Sequence, residues 1–210
     1  MAVYLDSADM DDARRAAKLG FLGGATTNPA LVARTGRAAD QVVAELCEIL
    51  PGTIFHQVTS PPGLALEAEI ARFRAISNRV AFKFPCTLDY LPVIHNLSRQ
   101  HVICAATGVF AAAQAYIAAE AGARYAVPYV NRTTRLCGDG PGLVAEMSAV
   151  LGDGACEILA ASIKSPAEAV DTLLAGALHL TLSWKVLAAL AEHRLTELAM
   201  EEFARAVLGP

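Results

Sequence analysis

The feature that most constrains the fold is a strict alternation of short apolar runs with longer segments of helical spacing along the whole chain. The apolar runs predict eight strands, over residues 2–6, 21–26, 53–58, 80–84, 102–107, 125–128, 158–162 and 177–180. The segments between and after them predict helices over residues 9–18, 41–50, 63–76, 88–99, 109–121, 142–151, 166–175 and 183–191. Eight strand–helix units without a linker favour a closed parallel (β/α)8 TIM barrel over a doubly wound sheet, which is the competing α/β architecture.

The chain is predicted to be one domain. Its 210 residues, of which 54% are apolar, are enough for one sizeable core, and α/β barrels of this size commonly form a single unit. We therefore expect residues 1–210 to form a single barrel domain, with residues 194–210 as a C-terminal helix and tail. The helix predicted over 195–208 is expected to carry Leu198, Phe203 and Val207 on one face, so it would cap the barrel or dock on a neighbouring subunit.

The charge composition excludes several classes of partner. Only 18% of the residues are charged and the formal net charge is -4, so the chain lacks the basic field that nucleic acid or an anionic membrane would need. The uncharged stretch 102–119 is interrupted by Thr107-Gly108 and fits a strand, a turn and a helix better than a membrane span. We expect a small-molecule ligand and, because the first residues do not resemble a secretion signal, a cytoplasmic location.

Cysteine and histidine spacing does not predict a metal centre. The five cysteines are odd in number and form no CxxC motif, and the five histidines include no i,i+4 pair. We interpret the cysteines as reduced and mostly buried thiols, although Cys86 is close enough to Lys83 in sequence to line the same site. Neither a metal nor another cofactor is expected.

One lysine lies inside a strand that is otherwise apolar. The alternation of strand side chains places Ala81 and Lys83 on one face and Phe82 and Phe84 on the other. Burial disfavours the ammonium form and lowers the pKa of a lysine, so the free amine can attack a carbonyl and form a Schiff base. We predict this role for Lys83. The alternative is a lysine whose stem reaches solvent at the strand end, since Pro85 follows two residues later.

Polar side chains stand at the ends of seven of the eight predicted strands, where a buried strand would otherwise be apolar. A TIM barrel carries its chemistry at the C-terminal ends of its strands, so we expect these side chains to converge on one site. They are Asp6; Thr26, Thr27 and Asn28; Gln57; Lys83; Thr107; Tyr129, Asn131 and Arg132; and Ser162. A Schiff-base enzyme acting on a polyol with an anionic group needs this combination of amine, carboxylate, phenol, amides and guanidinium.

Several of these residues also have a purely structural interpretation. Asp6 stands before a helix and could be its N-cap, and Thr26-Thr27-Asn28-Pro29 could be a cap followed by proline at the first helical position. Tyr129 could be an ordinary half-buried aromatic, and Arg132 a solvated loop cation. Ser162 precedes a helix, which suits either a cap or an anion site.

Five motifs, in their order and spacing, resemble those of one family. They are Val3-Tyr4-Leu5-Asp6, Thr26-Thr27-Asn28-Pro29, Lys83-Phe84-Pro85-Cys86-Thr87, Val127-Pro128-Tyr129-Val130-Asn131-Arg132 and Leu159-Ala160-Ala161-Ser162-Ile163-Lys164. From the first strand to about the eighth, the chain is similar to the small transaldolase-like class I aldolases. Gln57, Thr107 and Tyr129 resemble the fructose-6-phosphate aldolase branch, whereas true transaldolases carry a glutamate on the third strand and usually a phenylalanine after the sixth.

The resemblance implies how a ketone donor would be held. Lys83 would form the Schiff base with dihydroxyacetone or a ketose, and Thr26 would help to position the lysine. Asp6 and Asn28 would hold the hydroxyl groups of the donor. The chemistry of this family uses the lysine amine and no cofactor.

The resemblance also implies roles in the carbon–carbon step and in binding the second substrate. Gln57, Thr107 and Tyr129 would bind the water that protonates and deprotonates the enamine carbon. Arg132 and Ser162 would receive the phosphate of an aldehyde such as glyceraldehyde 3-phosphate. Members of this family form rings of five subunits, often paired into ten, which implies a homo-oligomer.

Two other functions stay open at this point. A transaldolase would transfer a dihydroxyacetone unit between sugar phosphates, and only Gln57 and Tyr129 argue against it. A sugar-phosphate-binding barrel without catalysis would keep Lys83 charged and pair it with an anion. All three readings expect small sugar-like molecules as the partners.

Overall fold

Eight parallel strands close into one barrel in sequence order, with the first strand paired to the last. The computed structural model of the chain describes residues 1–208. Its strands are β1 Ala2–Asp6, β2 Gly24–Thr26, β3 Thr53–Gln57, β4 Val80–Pro85, β5 Cys104–Val109, β6 Tyr125–Pro128, β7 Glu157–Ala160 and β8 His179–Leu182. The predicted fold class, a (β/α)8 TIM barrel, is confirmed.

Helices alternate with the strands and pack on the outer face of the barrel. Within the described residues they are α1 Met10–Ala17, α2 Pro29–Arg34, α3 Ala39–Ile49, α4 Leu64–Arg74, α5 Leu91–Ser98, α6 Ala112–Glu120, α7 Val130–Cys137, α8 Gly140–Leu151, α9 Pro166–Leu174, α10 Trp184–Ala189 and α11 Arg194–Leu208. A 3-10 turn, Leu88–Tyr90, precedes α5. Between residues 1 and 208, no helix combines the length and apolar character needed to cross a membrane.

Two short helices were missing from the predicted set. The first, α2, has six residues, and Asn28 caps it by accepting a hydrogen bond from the Leu31 N–H at 3.0 Å, with Pro29 in the first turn. The second, α7, has eight residues and begins directly after β6. Neither segment has the apolar residues at i, i+3, i+4 and i+7 that indicate a helix. Both begin at the C-terminal end of the barrel, next to predicted site residues.

The apolar runs located the strands but misplaced some of their ends. The second strand begins at Gly24 rather than at residue 21, and Phe21 is 64% exposed. The eighth strand runs from His179 to Leu182 rather than over 177–180. Apolar residues next to a strand, such as the exposed Phe21 and Leu178, cannot be told in sequence from residues of the strand itself, which explains these shifts. The second shift matters because it brings Thr181 into the barrel.

The fifth strand extends beyond its predicted end through a bulge. Its register against β6 shifts between Thr107 and Val109, and Gly108 between them has φ +70. A residue with a side chain is strained in that conformation, whereas glycine adopts it freely. The prediction that a helix starts at residue 109 is therefore wrong, because Val109 belongs to β5 and α6 starts at Ala112.

The two faces of β4 pack as the alternation predicts. Phe82 and Phe84 are fully buried in the large core between the barrel and its helices. Ala81 belongs to the separate cluster inside the barrel, and Lys83 follows it on the same face. The strand is thus anchored by aromatic rings on the outside while its inner face carries the lysine.

Four aromatic rings fill the barrel interior below the lysine. They come from β1, β3, β6 and β8 and are Tyr4, Phe55, Tyr125 and His179, all buried. Neighbouring rings meet edge to face, with centroids 5.6 Å apart for Tyr4–Phe55 and Phe55–Tyr125 and 5.4 Å for Tyr125–His179. Such pairs add about 0.5–1.5 kcal/mol each beyond their area burial. We call these four residues the aromatic layer.

The predicted C-terminal helix is present as α11, but its predicted apolar face is wrong. Leu198 is half-buried, whereas Phe203 and Val207 are 63% and 86% exposed. Five residues of helix turn the chain so that Leu198 and Phe203 point about 140° apart, which accounts for the difference. Leu195 and Met200 are also mostly exposed. Four large apolar side chains of α11 are therefore left mostly uncovered by the same chain.

Candidate active site

A cavity of about 370 Å³ lies at the C-terminal end of the barrel. It is lined by Asp6, Asn28, Pro29, Ala30, Gln57, Lys83, Tyr129, Arg132, Ala161, Ser162 and Lys164. Nine residues were given a role by the family resemblance. Seven of them are in this set, and the other two, Thr26 and Thr107, contact members of it. The strand ends therefore converge as a TIM barrel requires. We call the four inward side chains Asp6, Gln57, Lys83 and Tyr129 the mouth layer.

Lys83 is buried and faces this cavity. Lys83 is only 2% exposed, and its Nζ donates a hydrogen bond to the Thr27 carbonyl at 3.2 Å. Burial lowers the pKa of Lys83 from its usual value, and the nearby Asp6 carboxylate partly opposes that shift. The alternative in which the lysine stem reaches bulk solvent therefore does not hold.

Asp6 is held by a chain of two threonine hydroxyls. Thr26 Oγ1 donates to Asp6 Oδ1 at 3.1 Å, and the Thr26 and Thr181 hydroxyls are 2.7 Å apart. A hydroxyl has one proton, so when Thr26 donates to the carboxylate, Thr181 must be the donor to Thr26. Burial raises the pKa of Asp6, while Lys83 and the Thr26 hydrogen bond oppose the rise. The helix cap suggested for Asp6 is instead Asp9, which accepts from two backbone N–H groups.

Gln57 presents a buried amide with an unused acceptor. Its Oε1 is buried and has no hydrogen-bond partner within residues 1–208. An unsatisfied buried acceptor costs about 1–3 kcal/mol, which favours a role in accepting a hydrogen bond from a molecule in the cavity. Gln57 lines that cavity together with Lys83, its direct neighbour in the β3–β4 pairing.

A buried hydrogen-bonded pair, His56 and Glu69, anchors the chain on both sides of Gln57. His56 Nε2 lies 2.7 Å from Glu69 Oε1, and Glu69 also accepts hydrogen bonds from the backbone N–H groups of Thr59 and Ser60. Burial raises the pKa of Glu69, but the bonds from His56, Ser60 and Thr59 outweigh it and lower the value to about 2. The loop after β3 is therefore fixed, which restricts the position of Gln57.

Tyr129 is held from three sides. Its hydroxyl accepts a hydrogen bond from Thr107 Oγ1 at 3.1 Å, and the bulge at Gly108 lies next to this threonine. The Phe110 ring meets the Tyr129 ring edge-on at 5.8 Å, and the Arg132 guanidinium lies 4.8 Å from its centroid. Thr107 thus acts on the cavity through Tyr129, and both predicted residues belong to one cluster.

The side of the cavity near α7 and the loop after β7 is cationic. Arg132, Ser162 and Lys164 line it, and we call them the cationic rim. Ser162 has φ +63, an unusual conformation for a residue with a side chain. The cap of the following helix is Ser165, which accepts from the Glu168 N–H at 3.1 Å, so Ser162 is not needed as a cap.

Sequence reasoning missed Lys164 and Thr181. Lys164 stands in a motif that we interpreted as a possible anion site, so its charge was the available signal. Thr181 was missed because the predicted eighth strand ended one residue too early. Conversely, Cys86 does not line the cavity. Its thiol contacts the Gln114 carbonyl at 3.4 Å, and burial raises its pKa.

The fold and the cavity define a TIM barrel with a candidate active site at its C-terminal mouth. The chain belongs to the Transaldolase/Fructose-6-phosphate aldolase family, whose model matches residues 3–208. The family predicted from the five motifs is thus confirmed, and so is the prediction of an enzyme, either a lyase or a transferase.

Proteins named probable transaldolase match nearly the full length of this chain. The one from Caldicellulosiruptor saccharolyticus is 34% identical over 208 residues, covering 98% of this chain and 96% of the relative. Those from Desulfotalea psychrophila and Geobacter metallireducens are each 32% identical, over 97% and 98% of this chain and 96% and 97% of their own lengths. The matches are therefore not confined to one part of this chain.

Proposed function

We propose that this enzyme is a class I aldolase of the fructose-6-phosphate aldolase type, which needs no metal. It would reversibly cleave a ketose, or a ketose phosphate, into dihydroxyacetone or a similar ketone and an aldehyde such as glyceraldehyde 3-phosphate. The observation that carries this proposal is Lys83, buried at the mouth of the barrel and facing a cavity beside Asp6, Gln57 and Tyr129.

The first step is the capture of the ketose by the lysine. The uncharged Lys83 amine attacks the carbonyl carbon, and loss of the carbonyl oxygen as water leaves an iminium. Asp6 is near enough to influence the charge of Lys83 and would transfer protons in this dehydration. Thr26 keeps Asp6 in place and so positions the pair, while Asn28 would hold a donor hydroxyl through its amide N–H groups, because its oxygen caps α2.

The second step breaks the carbon–carbon bond. A water held by Gln57 and Tyr129 would take the proton from the hydroxyl of the leaving carbon as an aldehyde forms, and the bonding electrons move into the iminium to give an enamine. Protonation of the enamine carbon and hydrolysis then release the ketone and restore Lys83. Thr107 supports this step by donating to the Tyr129 hydroxyl.

The cationic rim suits the phosphate of the aldehyde. Arg132 presents a planar set of donors, Ser162 a hydroxyl and Lys164 a second positive charge. Arg132 and Ser162 were predicted for this task, and we add Lys164 because it lines the same side of the cavity.

The choice of branch depends on the group beside the catalytic water. A glutamate at the position of Gln57 would be a strong base, whereas an amide can only orient the water. Gln57→Glu should therefore raise transfer activity relative to cleavage. The two rates are measured with fructose 6-phosphate, with and without erythrose 4-phosphate, and an unchanged ratio would contradict the role of Gln57.

Transaldolase activity is the second candidate. It is favoured by the name probable transaldolase that the relatives at 32–34% identity carry. In that reaction the enamine carbon adds to the carbonyl of a second aldehyde instead of being protonated. Wild-type turnover of fructose 6-phosphate that strictly requires an acceptor would establish the transaldolase and exclude our choice.

Borohydride reduction tests the chemistry common to both enzymes. With dihydroxyacetone or a ketose present, reduction should leave a stable adduct on Lys83, located by mass spectrometry of the digested protein. Absence of an adduct, together with retained sugar-phosphate binding, would favour a binding barrel in which Lys83 stays charged.

We further propose a homo-oligomer in the cytoplasm, in which the exposed apolar side chains of α11 contact a neighbouring subunit. Leu195, Met200, Phe203 and Val207 support this, since each is more than 60% exposed in the single chain. Light scattering would separate a monomer, a pentamer and a decamer. The cytoplasm suits substrates that are charged phosphates and do not cross membranes, and cell fractionation tests this location.

A further inference from the structure

The carboxylate of Glu168 joins the two segments that carry the cationic rim. Its Oε1 accepts a hydrogen bond from Asn131 Nδ2 at 3.1 Å, and its Oε2 accepts one from the Lys164 backbone N–H at 2.6 Å. Asn131 precedes Arg132 on α7, whereas Lys164 lies in the loop after β7 that also carries Ser162. One side chain thus connects the segments that hold all three rim residues.

Helix capping does not account for these contacts. Ser165 caps α9, and Glu168 stands at the third helical position, where a glutamate commonly reaches back to the N–H of the cap residue itself. Here Glu168 reaches one residue further, to Lys164, and also crosses to Asn131 on another helix. The contact with Asn131 contributes nothing to the end of α9, so it calls for another explanation.

The backbone of the rim needs such support. Ser162 is in the left-handed region with φ +63, a conformation that persists in a residue with a side chain only when the surroundings hold it. The Ser162 carbonyl accepts a hydrogen bond from the Asn131 N–H at 3.2 Å. Glu168 therefore reinforces the contact between the start of α7 and the loop after β7, in which the backbone of Ser162 is strained.

We propose that Glu168 is a positioning residue that holds Arg132 and Lys164 at the spacing needed to bind one phosphate group, and so sets the preference for a phosphorylated aldehyde. This inference rests on the proposed function, because it assigns the cationic rim to a substrate phosphate. Glu168 itself does not line the cavity and acts through the two segments that it connects.

An electrostatic role of Glu168 and a positioning role predict opposite effects of Glu168→Gln on phosphate binding. Gln has one carbonyl oxygen and an NH₂ group, while both partners of Glu168 are N–H donors, so Glu168→Gln must lose one of the two contacts. It also removes a negative charge close to an anion site. If only charge mattered, phosphate would bind more tightly to the variant. If Glu168 positions the rim, phosphate binds more weakly.

The experiment measures the binding of inorganic phosphate to the full-length protein by calorimetry. We expect Glu168→Gln to weaken binding about 5–10-fold, which is less than the full effect of a lost hydrogen bond to a charged group because the loss reaches the phosphate only through the rim. Asn131→Ala removes one of the same contacts and keeps the carboxylate, so it should weaken binding in the same direction. The ratio of kcat/KM for glyceraldehyde 3-phosphate to that for glyceraldehyde should fall equally.

Ser165→Ala is the matched control. It removes the cap of the same helix, worth about 1 kcal/mol of stability, without touching Asn131 or the Lys164 N–H. Phosphate affinity should match the wild type. Equal weakening in Ser165→Ala and Glu168→Gln would overturn the proposal in favour of a general effect on α9. Unchanged or tighter binding in Glu168→Gln, or a wild type that binds no phosphate, would also overturn it.

The experiments distinguish a failure of the proposed aldolase function from a failure of the role proposed for Glu168. If borohydride leaves no adduct on Lys83, the aldolase assignment fails, yet the calorimetric comparison still decides whether Glu168 positions a phosphate site. If the adduct forms normally and the specificity ratio does not change, the aldolase assignment stands and the role of Glu168 fails.

Discussion

The aromatic layer and the mouth layer share two strands, β1 and β3, on which their members stand two residues apart. On β1, Tyr4 belongs to the lower layer and Asp6 to the upper; on β3, the same relation holds for Phe55 and Gln57. Alternation places residues i and i+2 on one face, so each of these strands first supplies an apolar ring and then a polar group. The barrel interior thus separates into a part that stabilises the fold and a part to which we assign the reaction.

The two layers differ in the kind of group that they bury. In the aromatic layer, rings pack edge to face in a closed arrangement, and His179 Nδ1 is its one buried side-chain atom without a hydrogen-bond partner within residues 1–208. In the mouth layer, Lys83 is buried with a lowered pKa, Asp6 has a raised pKa, and Gln57 has an acceptor without a partner in residues 1–208. Such features cost stability, which is typical of a functional site. Substitutions in the two layers should therefore have opposite consequences.

The largest effect is expected for Lys83→Met in the mouth layer. Turnover should fall by a factor on the order of 10⁶, the lower range of enzymatic rate enhancements, because no amine is left to form the Schiff base. A base whose pKa is lower in the folded than in the unfolded chain costs stability at every pH below its unfolded value. Thermal unfolding at neutral pH should therefore show a Tm no lower than that of the wild type. A Tm several degrees lower would mean that Lys83 stabilises the fold.

Phe55→Ala tests the aromatic layer in the opposite sense. Phe55 is fully buried and its ring contacts two others, so its loss should reduce the free energy of unfolding by about 3–5 kcal/mol. Urea denaturation measures this change. Adduct formation on Lys83 by the folded fraction, measured at low temperature, should stay near the wild-type level. Loss of adduct in a fully folded sample would show that the layers are not separable.

Asp6→Asn should reduce kcat about 100-fold, within the range for a lost proton-transfer group. The substitution should also change the pH dependence of borohydride trapping at Lys83. The Asp6 carboxylate favours the charged form of Lys83, so its removal lowers the pKa of Lys83 further. The amine then stays uncharged to a lower pH. The acid limb of borohydride trapping should move to lower pH, and movement to higher pH would contradict this assignment of charges.

Thr181→Val should have the smallest effect, about a five-fold loss of kcat, as expected for one hydrogen bond of about 1 kcal/mol. Without the Thr181 donor, the Thr26 bond to Asp6 weakens and the pKa of Asp6 rises. The pH at which Asp6 ionises should therefore move up in the kcat profile, opposite to the shift in Asp6→Asn. Thr181→Ser keeps the donor and should restore the wild-type profile.

The fold could be predicted because its signals are local. Strand alternation and helical spacing can each be read within ten or so residues, and eight repeats of the pair leave few topologies. Most of the site followed from the same argument, since a closed barrel brings the ends of its strands together. Asp6 and Lys83 could therefore be placed in one cavity although 76 positions separate them in the chain.

The rest depended on details that local patterns do not carry. Thr181 required the exact end of β8, and Glu168 required the position of Asn131 on another helix. Lys164 required the path of a loop through an unusual serine conformation. The face of α11 is a different case, since helical geometry alone separates Leu198 from Phe203.

The aromatic layer has a kinetic consequence. Since these rings occupy the barrel beneath Lys83, every molecule that binds next to the amine must enter and leave through the cavity at the C-terminal end of the barrel. In the proposed reaction, the aldehyde released by cleavage would leave along the route by which an acceptor approaches the enamine, so the two would compete for the enamine. Product inhibition by the aldehyde should therefore be competitive toward acceptors, and transfer should follow a ping-pong pattern.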